Sequence, residues 1–247
     1  FPVPEDQIRQ HRDQILGPGR RDHFIAFWVN RNARRKRPAD VLEAWAKFMA
    51  KLRAEGKSDA TLLMHTDPVD QEGPNLLAVT ERFGIMDSVV FSTQRTEFEK
   101  MNVLHNISDC NINIAYAEGF GLATLEAMQV GNPIIATKTG GLTRQVVDHR
   151  DESENGIALD VEMQSLVGSQ LVPYIYEAYV STDTVASALH QMYSWGPEKR
   201  KVVGTKARDY VKSEFHLDTT VNLWHETLSK LCEEWKYDGK YVLEEIV

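Results

Sequence analysis

The stretch "NINIAYAEGFGLATLEAMQVGNPIIATK", residues 111–138, decides how the chain is read. Its two ends, "NINIAY" and "NPIIATK", are short, β-branched-rich runs of strand length. Between them Gly119 and Gly121 mark a turn, and a helix opens near Gly121. Two strands joined by a helix form a right-handed crossover, which lays the strands parallel in one sheet. Two glutamates, Glu118 and Glu126, stand eight positions apart on either side of that turn.

The same alternation runs outward in both directions. Strands are expected at 23–29, 60–66, 88–92, 111–116, 132–138 and 156–160, with helices between them. The helix over 38–56 carries Val41, Leu42, Trp45, Phe48, Met49 and Leu52 at helical spacing, opens with Pro38 and closes at Gly56. The expectation is an α/β fold: a Rossmann-like domain of about six parallel strands, flanked by helices on both faces. After residue 161 the sequence reads as helical. Three segments there have apolar residues three to four apart, with Ser181 and the run Asp218-Thr219-Thr220 as N-caps. The first 22 residues are polar and punctuated by Pro and Gly, and read as a linker. The expected organisation is a linker over 1–22, a domain over 23–215, and a C-terminal helix and tail over 216–247.

The chain has 247 residues, 42% hydrophobic and 26% charged, as in ordinary globular proteins. A net charge of -8 disfavours nucleic acid as a partner, because phosphate backbones select basic surfaces. No run of 18 apolar residues occurs, so no membrane span is expected. Cys110 and Cys232 lie far apart without a His pair nearby, which fits a reducing, cytoplasmic compartment and neither a disulfide framework nor a zinc site.

In an open parallel sheet, ligands bind outside the carboxyl ends of the strands. The segments there are "NRNARRKRP" (30–38), "HTDPVDQE" (65–72), "STQRT" (92–96), the glycine turn, and "KTGGLTRQ" (138–145). A helix opening near Gly121 turns unpaired N–H groups and a positive dipole end toward the crevice, which suits a phosphate. Arg31 and Lys36 face the same crevice and could neutralise a diphosphate. Carboxylates would repel phosphates but suit hydroxyls, and Glu126 could accept two hydrogen bonds from a vicinal diol. A diol, a diphosphate and further hydroxyls together describe a nucleotide sugar.

Each feature also has a plainer reading. Glutamates are common on exposed helices, a basic run is often a solvated loop, and "TGG" at 139–141 is most simply a turn. His65, Asp67, Asp70 and Glu72 could bind a metal, although Pro68 and the single His favour a capped turn. His105 and His149 are read as helix-surface residues without a role. These plain readings share no common cause, yet the features all fall on one rim of one sheet.

The segment "EGFGLATLE" resembles the E-x7-E motif of retaining GT-B glycosyltransferases of the family 4 type. "NRNARRK" is similar to their Gly-Arg-x4-Lys element, and "EAMQVGNPIIATKTGGL" to the segment that follows E-x7-E. Asn30 stands where that family usually has Gly, and Arg37-Pro38 replaces the Gly after its Lys. The resemblance implies the donor-binding half of a two-domain hexosyltransferase, with an amino-terminal domain carrying the acceptor, be it glycan, lipid or protein. It implies that Arg31 and Lys36 contact the donor diphosphate, Glu118 the transferred sugar and Glu126 the ribose. Gly119, Phe120, Gly121 and Leu122 would meet the phosphate or sugar, and Thr93, Gln94 and Arg95 the base. Transfer would proceed with retention by front-face attack, with no metal or other cofactor, and with Glu118, Arg31 and Lys36 as the catalytic set. The last helix, and the apolar "YVLEEIV" at the end, would lie toward the other domain. A non-catalytic nucleotide-sugar-binding module and a sugar-nucleotide epimerase of the same architecture are the alternatives.

Overall fold

The structure is a computed structural model that describes residues 2–236. It divides into two compact units, one ending at Val211 and one beginning at Lys212. The first holds a six-stranded sheet of β1 (Phe24–Val29), β2 (Ala60–His65), β3 (Val89–Ser92), β4 (Cys110–Asn113), β5 (Ile134–Thr137) and β6 (Gly156–Leu159). The strand order is β3-β2-β1-β4-β5-β6 and every pairing is parallel. This is the doubly wound order, and its switch point lies between β1 and β4. The expected fold class and all six strands are present, each within a few residues of its place in the sequence.

The helices are α1 (Glu5–Leu16), α2 (Pro38–Ala54), α3 (Leu76–Phe83), α4 (Phe98–Asn106), α5 (Leu122–Val130), α6 (Gly141–Val146), α7 (Thr182–Ser194), α8 (Gly196–Glu214) and α9 (Leu217–Glu234). Alternation along β1 divides the core between the two faces of the sheet. Phe24, Ala26 and Trp28 pack with Trp45 and Phe48 of α2 and Leu189 and Met192 of α7. Ile25 and Phe27 pack with Leu104 and Ile107 on the other face, beside α4. Each such large apolar side chain contributes about 1.5–3 kcal/mol on full burial. Both faces of the central strands are therefore sealed, and chemistry is left to the strand ends.

Two segments differ from their sequence reading. Residues 5–16, read as part of a linker, form α1 and dock on the sheet domain. Leu16 is buried beside Ile25 and Phe27, and the Arg12 guanidinium donates to the Ile107 carbonyl (2.9 Å) and to Asp109 (2.8 Å). The helix escapes a periodicity reading because its apolar contribution is only Ile8, Ile15 and Leu16. Residues 163–179, read as the start of a helical region, form an antiparallel hairpin of β7 (Met163–Val167) and β8 (Ile175–Tyr179). Its alternating "YIYEAY" carries the strand period. The hairpin is rooted by Ala178 N–H donating to the Tyr116 carbonyl (2.8 Å) and by the Tyr179 ring against Tyr116 at 4.5 Å.

Ser181 caps α7 as expected, its hydroxyl accepting from Thr184 N–H at 3.2 Å. In the second unit, α9 is capped by His216 rather than by the Asp218 run. The His216 ring accepts from Asp218 N–H, which places Asp218 inside the first turn. Along α9, Leu217, Val221, Trp224, Leu228 and Leu231 form one apolar row. The segment "YVLEEIV" lies outside the described residues. Among the described residues no helix is long and apolar enough to cross a membrane.

Candidate functional site

At the carboxyl ends of β1 and β4 the surface sinks into a cavity of about 420 Å³. Its walls are Asn30, Lys36, Asn113, Glu118, Phe120, Gly121, Leu122, Ala123 and Glu126. The cavity lies at the switch point of the sheet, where this topology leaves a crevice.

One wall is backbone. The turn after β4 runs through Gly121, whose φ of 93° and ψ of 66° lie in the left-handed region that glycine adopts without strain. No side chain caps α5, so the amides of Leu122, Ala123 and Thr124 enter the helix without intrahelical acceptors and carry its positive dipole end. The turn is held from behind by α6. Gln145 donates to the Phe120 carbonyl (2.7 Å) and its Oε1 lies 2.5 Å from the Thr124 hydroxyl. Gly141 N–H donates to the Glu118 carbonyl at 3.1 Å. A Cβ on Gly140 would stand 1.9 Å from that same carbonyl oxygen, and one on Gly141 would stand 2.6 Å from the Phe120 Cα. "TGG" is thus more than a plain turn: its glycines let two backbones touch so that the Glu118–Gly121 turn has one position.

The other wall is side chain. After β1 the chain makes a short 3-10 turn, Arg34–Lys36, which drives the Lys36 side chain inward to 8% exposure. Lys36 Nζ pairs with a Glu118 carboxylate oxygen across the cavity floor. Arg37 follows with φ 57°. A non-glycine residue is strained there. Arg37 holds the conformation through Asp40 (2.6 Å), the Val180 carbonyl (2.9 Å) and the faces of the Tyr116 and Tyr179 rings.

The candidate residues therefore separate. Lys36, Glu118, Phe120, Gly121, Leu122 and Glu126 line one cavity, and Gly119 is the link between Glu118 and Phe120 behind it. Arg31 is not among the lining residues. Its side chain is 60% exposed and is held by Asp70 (2.8 Å) and Glu72 (3.1 Å), and this hydrogen bond holds the Asp70 carboxyl below its usual range. Thr93, Gln94 and Arg95 lie on an exposed loop after β3, also outside the lining. Two further walls are polar, Asn30 and Asn113, and neither was given a site role in the sequence. For Asn113 the signal was present in "NINI", where asparagine alternates with isoleucine in a central strand that should be apolar throughout. The Asn113 amide oxygen accepts from Ala115 N–H at 3.2 Å, which fixes the amide's orientation.

The segment "HTDPVDQE" folds as the capped turn. Asp67 accepts from Val69 N–H, Asp70 binds Arg31, and His65 Nδ1 lies 2.9 Å from the Ser92 hydroxyl. Among the described residues no three His, Cys, Asp or Glu side chains are grouped as metal ligands. His149 is exposed, with Nδ1 3.2 Å from the Tyr210 hydroxyl. His105 departs from its surface reading: it is buried, and its Nε2 lies 3.3 Å from Glu126.

A larger cavity, about 1000 Å³, lies between α1 and the start of α8. It opens at the amino ends of the strands, beside Phe24, Asp59, Asp109 and Pro133, away from the crevice that this topology creates. Acidic and basic side chains are mixed in it, and its central arginines, Arg12 and Arg200, both bind Asp109 (2.8 and 3.2 Å). That arrangement ties α1 and α8 to the sheet.

The family model for glycosyl transferases group 1 matches residues 13–168, well over half of the chain. The chain is 28% identical over 206 residues to a D-inositol 3-phosphate glycosyltransferase of Corynebacterium jeikeium, covering 78% of this chain and 48% of that protein. It is also 28% identical over 165 residues to an N-acetyl-alpha-D-glucosaminyl L-malate synthase of Bacillus anthracis, covering 61% of this chain and 40% of the relative. The chain thus spans about half the length of these relatives. Among solved structures, Anabaena Alr3699/HepE in complex with UDP and glucose superposes with a TM-score of 0.71 at 19% identity, over 94% of this chain and 54% of that one. The C-terminal domain of a group 1 glycosyl transferase, LpcC, from Francisella tularensis superposes at 0.64 with 21% identity, over 88% of this chain and 96% of that one. Fold and sequence agree: this chain belongs to the glycosyl transferases group 1 family, with a domain of the C-terminal GT-B type.

Proposed function

We propose that the cavity at the carboxyl ends of β1 and β4 holds the nucleoside-diphosphate sugar donor of a retaining, metal-independent hexosyl transfer. One observation carries the reading: Lys36, Glu118 and Glu126 converge on the free amides at the start of α5. Cation and amides suit a diphosphate, and carboxylates on both sides of it suit the hydroxyls of sugar and ribose.

As the glycosidic bond to the diphosphate breaks, negative charge grows on the leaving phosphate and positive charge on the sugar. The helix amides are fixed before the donor arrives and act without reorganisation, which is where such electrostatic stabilisation is strongest. Lys36 must leave Glu118 to join them. Glu118, released from Lys36, accepts from sugar hydroxyls and orients the sugar. Glu126, more than a turn along the helix, takes the ribose diol. The acceptor, a glycan, lipid or protein, would be held by an amino-terminal domain. Arg31 reaches the diphosphate only by exchanging Asp70 and Glu72 for it. Thr93, Gln94 and Arg95, on the exposed loop after β3, would meet the base. That these relatives act on or bind sugars and UDP supports the reading.

Calorimetric titration with UDP, GDP, ADP and their common sugar conjugates tests it. One nucleotide is expected to bind between micromolar and millimolar, and Lys36→Ala and Glu126→Ala are each expected to weaken it about tenfold or more. Binding that neither substitution changes contradicts the reading.

A further inference from the structure

We propose that His105 is the positioning residue for Glu126, holding its carboxylate ready for the ribose diol; this rests on the donor-site reading above. His105 lies in the last turn of α4 and is 2% exposed. The edge of its ring meets Phe27, with ring centroids 5.1 Å apart, so the imidazole cannot tilt freely. Its carbonyl accepts from Asn132 Nδ2 at 2.6 Å, which ties the end of α4 to the turn after α5. On the side facing α5, Nε2 lies 3.3 Å from Glu126 Oε2.

The chemistry of that contact settles the tautomer. An ionised carboxylate only accepts, so Nε2 must carry the hydrogen. In the neutral ring Nδ1 is then a bare lone pair, and Nδ1 is buried with no hydrogen-bond partner among the described residues. A buried, orphaned ring nitrogen is unfavourable, and an apolar side chain at this position would fill the space without that penalty. Glu126 supplies the reason for a histidine here. Its side chain is 38% exposed and has no other hydrogen-bond partner among the described residues. Without the imidazole, a glutamate on an exposed helix turn samples several rotamers and must be ordered when ligand binds. With one oxygen held by Nε2–H, the other lone pairs keep a fixed direction for two adjacent hydroxyls. The same contact links α4, on the far face of β1, to the start of the donor helix.

Calorimetric titration of this chain with each ribonucleoside diphosphate (UDP, GDP, ADP) and its 2′-deoxy counterpart separates positioning from general damage. The wild type is expected to prefer the ribonucleotide by about tenfold or more, since one hydroxyl's bond to a carboxylate is removed. Glu126→Ala reduces that preference to near unity. His105→Phe, which keeps the ring but has no donor, is expected to lose most of the preference while binding the deoxynucleotide like the wild type. His105→Gln, whose amide nitrogen can stand where Nε2 stands, keeps it. A purely structural role for His105 would weaken both nucleotides in parallel and leave their ratio intact, and that result overturns the inference. So does a full preference in His105→Phe alongside its loss in Glu126→Ala, which leaves the donor-site reading standing. A preference untouched by Glu126→Ala, or no nucleotide binding by the wild type, instead overturns the donor-site reading, and the inference falls with it.

Discussion

The two turns that face each other across the cavity are built on opposite plans. The turn after β4 is nearly bare backbone, locked by glycines that touch, by Gln145 and by the start of α5. The turn after β1 is crowded with cations: Arg31, Arg34, Arg35, Lys36 and Arg37 within seven residues. Four of these five already hold a carboxylate of the same chain, namely Asp70, Glu177, Glu118 and Asp40 respectively for Arg31, Arg34, Lys36 and Arg37. Positive character delivered by backbone is therefore available at once, whereas positive character delivered by side chains must first change partner. The comparison teaches that a basic run in a sequence measures the protein's internal pairing as much as its readiness for an anion.

The largest expected effect comes from breaking the bare turn. Gly140→Ala puts a Cβ against the Glu118 carbonyl at a residue whose φ is 49°. We expect a loss of about 3 kcal/mol in urea unfolding, with nucleotide binding lost too, because backbone rather than a flexible side chain must move. Gln145→Ala follows, removing one buried and one part-buried hydrogen bond to the same turn. It should cost about 1–3 kcal/mol by the same measurement, with weaker nucleotide binding.

Substitutions on the cationic side should behave differently. Glu118→Gln leaves Lys36 without its charge partner, so the melting temperature should fall in the absence of ligand and recover on adding a nucleoside diphosphate. UDP alone should bind several-fold more tightly than to the wild type, because Lys36 no longer has to leave a carboxylate. Weaker binding of UDP by this variant would contradict the partner-exchange account. Arg31→Ala, an exposed pair, should leave the melting temperature almost unchanged. A binding loss of tenfold or more would show that Arg31 does swing from Asp70 to the ligand.

The smallest effect is a pH dependence at the hairpin. Arg34 hydrogen-bonds Glu177 and holds its carboxyl below the usual glutamate range. A lowered folded-state value means that this anchor contributes fully above the ordinary glutamate pKa and is lost as pH falls through the lowered one. Acid titration of the hairpin tyrosine fluorescence should show that step, and Glu177→Gln should remove it.

The sheet was legible because its signals are redundant. Each strand is a short apolar run, the first five are each followed by a helix, and Pro38, Gly56 and Ser181 mark helix ends. Where one signal stood by itself, reading failed. The three apolar residues of α1 were hidden in a polar stretch, and the hairpin's strand period was taken for part of a helical region. The backbone half of the site could be read from Gly119 and Gly121, since a glycine turn opening a helix implies free amides. The side-chain half could not be resolved, because sequence shows that Arg31 and Lys36 are cations and not that Asp70 waits for one and Glu118 for the other. His105 was misread for the same reason: its partner lies 21 residues away on the next helix.

The most direct test of the central claim is amide hydrogen exchange of this chain with and without saturating UDP, GDP or ADP. The account predicts that the nucleotide that binds slows exchange at Gly121 to Leu125 and around Lys36, at the carboxyl ends of β1 and β4. Protection appearing instead at Asp109 and Gly196 to Lys201, around the larger cavity at the amino ends of the strands, or no protection with any of the three, would contradict it.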